Sequence, residues 1–375
     1  MAAKDKDRIV PLERMDEFDA IIDARSPAEF LEDHIPGAIN LPVLDDTERR
    51  IIGTIYKQRS AFEARRLGAA WVAKNLARHL QERLQQHPPS WRPLVYCWRG
   101  GQRSGAFVTW LRMIGWSAAQ LAGGYKTYRR WVLERLAELP AHFSWRVIAG
   151  PTGSGKTRVL QALERRGHQV LDLEALARHR GSILGAWPGG EAQPTQKAFD
   201  TALVAALRRF DPSRPVFVEA ESKRIGLVQL PEALHEAMRL APMIVLDTPQ
   251  ECRLQLLLED YAWLGDEPEA LARRLERFKG FVPNETLRRW QEFALRRDLA
   301  TLFAELIARH YDPLYRRSLA RHPELVQASR VRLTGLDTAA LEATCGEIEA
   351  WGSASELLPR PSSAAASARP PQAAP

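Results

Sequence analysis

The sequence LVYCWRGGQRS at residues 94–104 decides how the first part of the chain folds. A short β-rich run ends at Cys97, two glycines follow, and an apolar helix pattern begins behind Arg103. Glycine tolerates positive φ angles, so the backbone can curl around the thiol. The N–H groups of such a loop, and the positive end of the next helix, stabilise a thiolate and any anion that it attacks. A cysteine that merely ends a core strand is the plainer alternative, but the spacing of the glycines and the arginine favours a reactive thiol.

The side chains that follow this thiol predict an anion-binding site. Arg103 can grip an oxyanion through two N–H groups of its planar guanidinium, and Arg99 adds a second positive charge. We therefore predict Cys97 as the nucleophile, with Arg99 and Arg103 as its catalytic partners. The other residues predicted to line the loop are Gly100, Gly101, Gln102 and Ser104.

Strands and helices alternate on both sides of this loop. Strands are predicted at 20–23 and 118–121 and just after the Pro-Gly pair at 36–37, and a long helix at 60–86. A short helix at 28–31 is predicted to begin with Ser26 as its N-cap and Pro27 in its first turn. This alternation predicts a parallel α/β sheet, with Cys97 at the carboxyl end of a strand, where sites in such sheets usually lie.

Two further segments, DARSPAEF at 23–30 and HIPGAINLP at 34–42, resemble a rhodanese domain together with the Cys97 loop. The resemblance covers most of residues 8–137, and it implies that Cys97 carries sulfur as a persulfide. It also suggests that Asp23, Arg25 and His34 support the loop, although Asp23 can equally cap the following turn.

This sequence departs from a common rhodanese in the length of the loop. Arg103 lies six residues after Cys97, a C-x5-R spacing shared with protein tyrosine phosphatases and their rhodanese-like relatives. The extra residue widens the loop, so we expect it to accept a tetrahedral, phosphate-sized anion. The segment 45–71 is longer than a minimal rhodanese needs, and we interpret it as an insertion that faces a partner.

A second motif, GPTGSGKT at residues 150–157, predicts a phosphate-binding loop. It follows a predicted strand at 145–149 and precedes a helix pattern, and further strands are predicted at 170–173, 215–219 and 243–247. Lys156 would reach the terminal phosphate, and Thr157 would bind Mg²⁺ if that ion is present. The predicted phosphate-binding residues are Gly150, Gly153, Ser154, Gly155, Lys156 and Thr157, with Asp172, Glu219 and Glu221 as supporting acids.

The remainder of the chain is predicted to be helical and basic. Adjacent arginine pairs such as Arg273-Arg274 and Arg288-Arg289 alternate with Phe278, Phe281 and Trp290. Solvated helix faces and a groove for a nucleic-acid backbone explain this pattern equally well. The Ala/Pro/Ser-rich end is predicted to be a disordered tail. The predicted division is a rhodanese-like domain at 1–140, a P-loop domain at 141–260, a helical part at 261–350 and the tail at 351–375.

Composition limits the classes of partner and compartment. The chain of 375 residues has a formal net charge of +7 and a pI near 9.5, which permits a nucleic-acid partner without requiring one. No apolar run approaches the ~20 residues that cross a bilayer, and the N-terminus lacks the apolar core of a secretion signal. Three widely spaced cysteines without a CxxC pair predict neither a disulfide framework nor a metal site. We expect a cytoplasmic protein with reduced thiols.

Five motifs taken together resemble the bacterial tRNA 2-selenouridine synthase family over about the first 320 residues. They are CWRGGQRS, GGYKTYR, GPTGSGKT, DLEALARHRGSILG and FVEAESKRIG. The resemblance implies that selenium from selenophosphate replaces the sulfur of wobble 2-thiouridine in tRNA, through an S-geranyl intermediate made from geranyl diphosphate. Cys97 would then carry selenium, and Arg99 and Arg103 would balance phosphate charge. We expect a monomer without a tightly bound cofactor, and with Mg²⁺ as an optional ion.

Two other functions are compatible with the motifs. The C-x5-R loop also suits a phosphatase, although no neighbouring residue is recognisable as its general acid. A nucleotide kinase or switch that uses a non-catalytic rhodanese module as a binding arm is the second alternative. The ligand of the P-loop likewise stays open between ATP or GTP and geranyl diphosphate.

Overall fold

The computed structural model describes residues 8–185, 192–321 and 328–355. These residues form two compact units that alternate along the chain. The first unit comprises the described residues of Met1–Phe143, Glu174–Asp211 and Glu221–Ala237, and the second those of Ser144–Leu173, Pro212–Ala220 and Met238–Pro375. The domain boundaries predicted from the sequence stay a prediction, and residues 356–375 of the predicted tail lie outside the described residues.

A parallel sheet forms the centre of the first unit. Among the described residues its strand order is β1-β5-β4-β2-β3, and every neighbouring pair is parallel. The strands are β1 (Ile9–Val10), β2 (Ala20–Asp23), β3 (Ile39–Asn40), β4 (Pro93–Tyr96) and β5 (Ala119–Leu121). The predicted parallel α/β class is confirmed, and β4 lies in the middle of the sheet with Cys97 directly behind its last residue.

Helices cover this sheet and connect its strands. They are α1 (Pro27–Glu32), α2 (Asp46–Gln58), α3 (Ala61–His79), α4 (Gln102–Ile114) and α5 (Gly124–Glu138), with a π-helical turn at Leu80–Leu84 and 3-10 turns at Leu12–Glu17 and Leu139–His142. The predicted start of α1 is confirmed, because Ser26 forms a capping box and Pro27 is the first helical residue. The segment 45–71 forms α2 and the beginning of α3, and its predicted role in facing a partner remains a prediction.

The core of the first unit holds α4 in place behind the Cys97 loop. Phe107, Val108 and Leu111 on α4 are fully buried in one cluster with Ile22 and Val95 of the sheet. Burial of each such side chain stabilises the fold by about 1.5–3 kcal/mol. The apolar face of α4 therefore fixes the helix whose N-terminus follows the loop.

Segments from between the strands of the second unit complete the first unit. They contribute α8 (Gln196–Leu207), the antiparallel pair β9 (Arg224–Ile225) and β10 (Val228–Gln229), and α9 (Glu232–Arg239). Helix α8 packs on α5, and an ion pair joins Arg129 of α5 to Asp200 of α8.

The second unit is built on another parallel sheet with the order β12-β11-β6-β8-β7. Its strands are β6 (Trp145–Ala149), β7 (Gln169–Leu171), β8 (Val216–Glu219), β11 (Met243–Asp247) and β12 (Ser329–Arg332). The strands predicted at 145–149, 170–173, 215–219 and 243–247 are confirmed to within two residues. Strand β12 was not predicted, because three of its four residues are exposed at the sheet edge and only Val331 is buried.

The helices of the second unit follow its strands. They are α6 (Lys156–Arg165), α10 (Gln250–Asp260), α11 (Pro268–Leu275), α12 (Asn284–Leu295), α13 (Leu299–Leu306), α14 (Asp312–Arg321) and α15 (Thr338–Ser355), with short turns at Ala262–Gly265, Glu276–Phe278 and Ile307–Tyr311. Helix α7 (Leu173–Ala177) begins where the chain passes into the first unit. None of the described helices is both long and apolar enough to cross a membrane.

The aromatic residues among the basic helices have different roles. Phe278 and Trp290 are fully buried and pack edge to face, so the interpretation of these two as stacking partners for bases is wrong. Phe281 is 67% exposed, and its role as a stacking residue stays a prediction.

Candidate active site

The Cys97 side chain lies in a cup of hydrogen-bond donors. Its sulfur accepts hydrogen bonds from the Gly101 amide at 3.3 Å and from the Ser104 hydroxyl at 3.1 Å. The residue is 3% exposed, and Gly100 turns the loop with a φ of +62°. Both donors point at the atom that would act as the nucleophile. The structure thus brings together Cys97, Gly100, Gly101 and Ser104, as predicted for an anion-binding loop.

Gln120 on β5 orients the serine of this cup. Its amide nitrogen donates to the Ser104 hydroxyl oxygen at 2.9 Å and to the Gly101 carbonyl at 3.0 Å. Because Ser104 accepts from Gln120, its own proton is available to the sulfur. Sequence reasoning missed Gln120, although a polar residue between Ala119 and Leu121 in a buried strand is a usable signal.

The N-terminus of α5 closes the loop from behind. The amides of Tyr125 and Lys126 donate to the carbonyls of Cys97 and Trp98 at 2.8 and 3.0 Å. Gly124 has a φ of +59°, and a Cβ atom placed there would lie 2.2 Å from the Cys97 carbonyl oxygen. The GGYK sequence is therefore explained by close packing of two backbones, which only glycine permits.

Arg103 is bound by an acid that sequence reasoning missed. Its two terminal nitrogens donate to the Glu29 carboxylate at 2.5 and 3.2 Å, and the Arg49 Nε atom lies 3.7 Å from the same carboxylate. Burial alone would raise the pKa of Glu29, but hydrogen bonding and attraction from Arg103, with smaller contributions from the Ser26 amide and Arg49, lower the pKa below its ordinary value. Arg99, the other predicted arginine, is exposed, as is Gln102.

Asp23 and Arg25 form a buried ion pair beside the loop. Three donor contacts of 2.6–3.0 Å join the Arg25 guanidinium to the Asp23 carboxylate, and the guanidinium lies 4.0 Å from the centre of the Tyr125 ring. The pair therefore anchors the end of β2 against α5, and its role in supporting the loop stays a prediction. His34 stacks on Phe30 and contacts its carbonyl through Nδ1 at 3.0 Å, a local interaction at the end of α1.

Asp33 links three elements of the first unit. Its Oδ2 atom accepts hydrogen bonds from the Tyr125 hydroxyl at 2.6 Å and from the Thr201 hydroxyl at 3.0 Å. Burial raises the pKa of Asp33 above its ordinary value of 3.8, and these hydrogen bonds only partly oppose the shift. The carboxyl thus joins the residue after α1 to α5 and α8.

The other cysteines differ from Cys97 in their surroundings. Cys345 is buried in the core of the second unit, and desolvation raises the pKa of its thiol to about 11. Cys252 is half-buried on α10. Among the described residues, no donor cup like that of Cys97 surrounds either sulfur, which agrees with their interpretation as ordinary helix residues.

The P-loop of the second unit turns between β6 and α6. Gly153 and Gly155 have φ angles of +77° and +83°, and Lys156 donates to the Gly150 carbonyl at 3.2 Å. The Ser154 hydroxyl is buried without a hydrogen-bond partner among the described residues. A loop of this geometry at a helix N-terminus is suited to a phosphate group.

Arg253 braces this loop from α10. Its guanidinium donates to the Thr152 carbonyl at 2.8 and 3.0 Å and to the Asp312 carboxylate at 2.7 and 3.1 Å. Arg253 was not predicted, because nothing in its helical sequence context distinguishes it from the neighbouring surface arginines.

The predicted acids belong to different units. Asp172 follows β7, and the buried Glu219 ends β8, both in the second unit. Glu221 belongs to the first unit, where a Cβ atom placed on Gly181 would lie 2.8–2.9 Å from its carboxylate oxygens. Thr157 is the second residue of α6. Functional roles for these residues remain predictions.

Fold and site together define a class: a rhodanese-like unit with a C-x5-R loop, combined in one chain with a P-loop unit. The profile of the rhodanese-like domain matches residues 11–130, and that of the tRNA 2-selenouridine synthase AAA domain matches residues 143–281. The chain belongs to the tRNA 2-selenouridine synthase family.

Relatives bearing the name tRNA 2-selenouridine synthase support this membership. The protein from Alcanivorax borkumensis is 34% identical over 84% of this chain and 94% of its own length, and that from Aeromonas salmonicida 36% identical over 82% and 89%. The protein from Nitrosomonas europaea is 40% identical, but the match spans 64% of this chain and 63% of that relative.

Proposed function

We propose that the protein is a tRNA 2-selenouridine synthase. It replaces the sulfur of wobble 2-thiouridine in tRNA by selenium from selenophosphate, through an S-geranyl-2-thiouridine intermediate made from geranyl diphosphate. The observation that carries the proposal is the Cys97 sulfur held between two hydrogen-bond donors in a C-x5-R loop. The name of the relatives, tRNA 2-selenouridine synthase, supports tRNA as the molecule that is modified.

Nucleoside mass spectrometry tests this function directly. We expect tRNA that contains 2-thiouridine to yield 2-selenouridine after incubation with the protein, selenophosphate and geranyl diphosphate. The S-geranyl nucleoside should accumulate when selenophosphate is left out. Recovery of unchanged 2-thiouridine under all conditions would contradict the proposal.

In this proposal Cys97 carries the selenium, and that role makes a strict chemical demand. Selenium in selenophosphate is at the selenide level. Its transfer to the thiolate forms an S–Se bond and breaks the Se–P bond, whose electron pair stays on phosphorus and gives phosphite. If selenium instead attacks the S-geranyl nucleoside, geranylthiol leaves, and water later releases phosphate from selenium. Phosphorus NMR of the product distinguishes these routes: phosphite supports the carrier role of Cys97, and phosphate contradicts that role alone.

The P-loop is proposed to bind geranyl diphosphate rather than a nucleotide. Its turn at Gly153 and Gly155 and the N-terminus of α6 suit a diphosphate, and Thr157 is the residue that would hold Mg²⁺ with that diphosphate. Competition between geranyl diphosphate and ATP for the intact protein tests this assignment. Binding of ATP without displacement by geranyl diphosphate would refute it.

The basic helices are proposed to contact the tRNA backbone. Arg273, Arg277, Arg288 and Arg296 are exposed, whereas Arg289 is held by Glu305 at 2.8 Å. Phosphate contacts make affinity strongly dependent on salt, so replacing Arg273 and Arg277 by alanine should flatten the salt dependence of tRNA binding. Replacement of Arg289 serves as the control. Action on tRNA also makes the cytoplasm the proposed compartment, and the protein is proposed to act there as a monomer.

A further inference from the structure

Glu29 occupies a central position beside the Cys97 loop. It lies in the first turn of α1, and its carboxylate accepts hydrogen bonds from both terminal nitrogens of Arg103. Its carboxylate also faces Arg49 of α2 at 3.7 Å and accepts the Ser26 amide at 3.1 Å. The partners of one carboxylate thus come from α1, α2 and α4.

This arrangement neutralises the arginine that an anion in the loop would meet. The Arg103 and Glu29 side chains are only 16% and 21% exposed, so water screens their attraction weakly. The nearby Arg25 is likewise balanced by its own partner, Asp23. A second anion near Arg103 has to share a guanidinium that a carboxylate already holds through two hydrogen bonds.

We propose that Glu29 is the counter-charge that limits the affinity of the Cys97 loop for phosphate-sized anions. By neutralising Arg103 it keeps the abundant inorganic oxyanions, phosphate and sulfate, from occupying the loop, and it speeds their departure. The inference rests on the oxyanion-binding role proposed above for the loop, and not on the route that selenium takes. Glu29 therefore affects anion binding through Arg103 and does not contact the anion itself.

Glu29→Gln removes the charge while preserving the local fold. Glutamine also serves as the third helical residue of a capping box, so the start of α1 is retained. Glu48→Gln is the matched control, because Glu48 occupies the same position in the capping box of α2 and contacts Asn75 instead of an arginine.

The experiment measures alkylation of Cys97 by iodoacetamide at neutral pH, in the full-length protein with Cys252→Ser. Inorganic phosphate and sulfate are the probes, and protection of the thiol reports their binding. We expect Cys97 of Glu29→Gln to be protected at phosphate concentrations at least about tenfold lower than those needed for the wild type. A change of this size in affinity corresponds to the free energy of one charge-assisted hydrogen bond. Glu48→Gln should behave like the wild type.

A second variant, Arg49→Gln, is expected to weaken phosphate binding, whereas Glu29→Gln is expected to strengthen it. Arg49→Gln frees Glu29 from its other guanidinium, so Glu29 neutralises Arg103 more fully and protection should require more phosphate than in the wild type. This variant leaves the capping boxes of both helices intact.

Each remaining outcome is decisive. Equal protection of Glu29→Gln and wild type would overturn the proposal and leave Glu29 as a capping residue. Weaker protection of Glu29→Gln would overturn it as well, because Glu29 would then hold Arg103 in its anion-binding position. Absence of protection in every variant would refute the oxyanion-binding role of the loop itself.

Discussion

Ser104 shows how a few contacts prepare a thiol for chemistry. Its hydroxyl accepts a hydrogen bond from Gln120 and donates one to Cys97. The amide nitrogen of Gln120 can only donate, so the directions of both hydrogen bonds are fixed. The sulfur is thereby supplied with a proton donor in its resting state. Glu29, in contrast, binds Arg103 and so reduces the positive charge near the loop.

Replacement of the thiol should separate chemistry from binding. We expect Cys97→Ser to abolish selenium transfer and to leave tRNA affinity unchanged, because a serine hydroxyl is hardly ionised at neutral pH and the buried side chain changes little in size. Mass spectrometry of the tRNA nucleosides and a binding titration measure the two effects. Cys252→Ser is the control with full activity. Formation of 2-selenouridine by Cys97→Ser would contradict a nucleophilic role.

Gly124 offers a test of backbone packing under the loop. Gly124→Ala should lower the free energy of unfolding by about 2–4 kcal/mol, since it adds steric crowding against Cys97 to the strain of a positive φ. Gly37 is the matched control: its φ is +79°, and a Cβ atom there would meet nothing within 4 Å. Denaturant unfolding of the two variants isolates the crowding. Equal losses would mean that the loop yields to the added methyl group.

At the scale of elements, α5 unites the Cys97 loop with α8. Its N-terminus binds the loop carbonyls, Tyr125 binds Asp33, and Arg129 pairs with Asp200. A displacement of α8 would therefore shift α5, and with it the backbone of the Cys97 loop.

The Asp33 carboxyl should make this junction sensitive to pH. Because its pKa is raised in the folded protein, the folded state binds the proton more tightly than the unfolded state does. Its contribution to stability is thus present below the ordinary pKa of 3.8 and is lost as the pH rises through the raised folded value. We expect the difference in unfolding free energy between wild type and Asp33→Asn to decrease over this window. A difference independent of pH would show that Asp33 titrates normally.

Disruption of the P-loop should block formation of the S-geranyl nucleoside and leave the later selenium step intact. Lys156→Ala removes the side chain predicted to reach the terminal phosphate, so formation of the S-geranyl nucleoside should fall at least about 100-fold. Conversion of tRNA that already carries this nucleoside should proceed. Arg165→Ala, an exposed site on the same helix, is the control. Unchanged geranylation by Lys156→Ala would assign the loop a structural role.

Much of the fold could be predicted from patterns of neighbouring residues. The features that were not predicted, such as the Arg103–Glu29 ion pair and strand β12, depend on contacts between residues far apart in the sequence. Strand β6 and the P-loop have strong local signals, as do the cap of α1 and the loop at Cys97. The pairing of Arg103 with Glu29 joins residues 74 positions apart, and no spacing rule connects them. Strand β12 carries a single buried residue, so its pairing with β11 decides its conformation.

At the scale of the molecule, helix α8 illustrates what an amphipathic pattern leaves open. Its sequence position lies between β7 and β8 of the second sheet, yet it belongs to the first unit and packs on α5. An apolar stripe indicates that a helix is buried, but it does not identify the sheet that covers it.

A fragment comprising Met1–Phe143 should therefore be poorly folded. It lacks α8, whose Phe199, Leu203, Val204 and Leu207 are buried, and burial of such side chains is worth about 1.5–3 kcal/mol each. That sum is comparable to the ~5–15 kcal/mol stability of a whole domain. We expect rapid proteolysis of the fragment and protection on addition of a peptide covering residues 192–211. Protease resistance equal to that of the intact chain would contradict this dependence.

The alternation of the two units along the chain also affects synthesis on the ribosome. The first unit is complete only after Ala237 has been made, and the second awaits β12 at Ser329–Arg332. The first unit can therefore finish folding while β11 and β12 are still missing, whereas the second sheet stays incomplete from the synthesis of β6 until that of β12, and its unpaired strand edges are exposed during this interval. Chaperone demand during translation, rather than the equilibrium stability of the finished protein, is then expected to limit the yield of active enzyme in the cell.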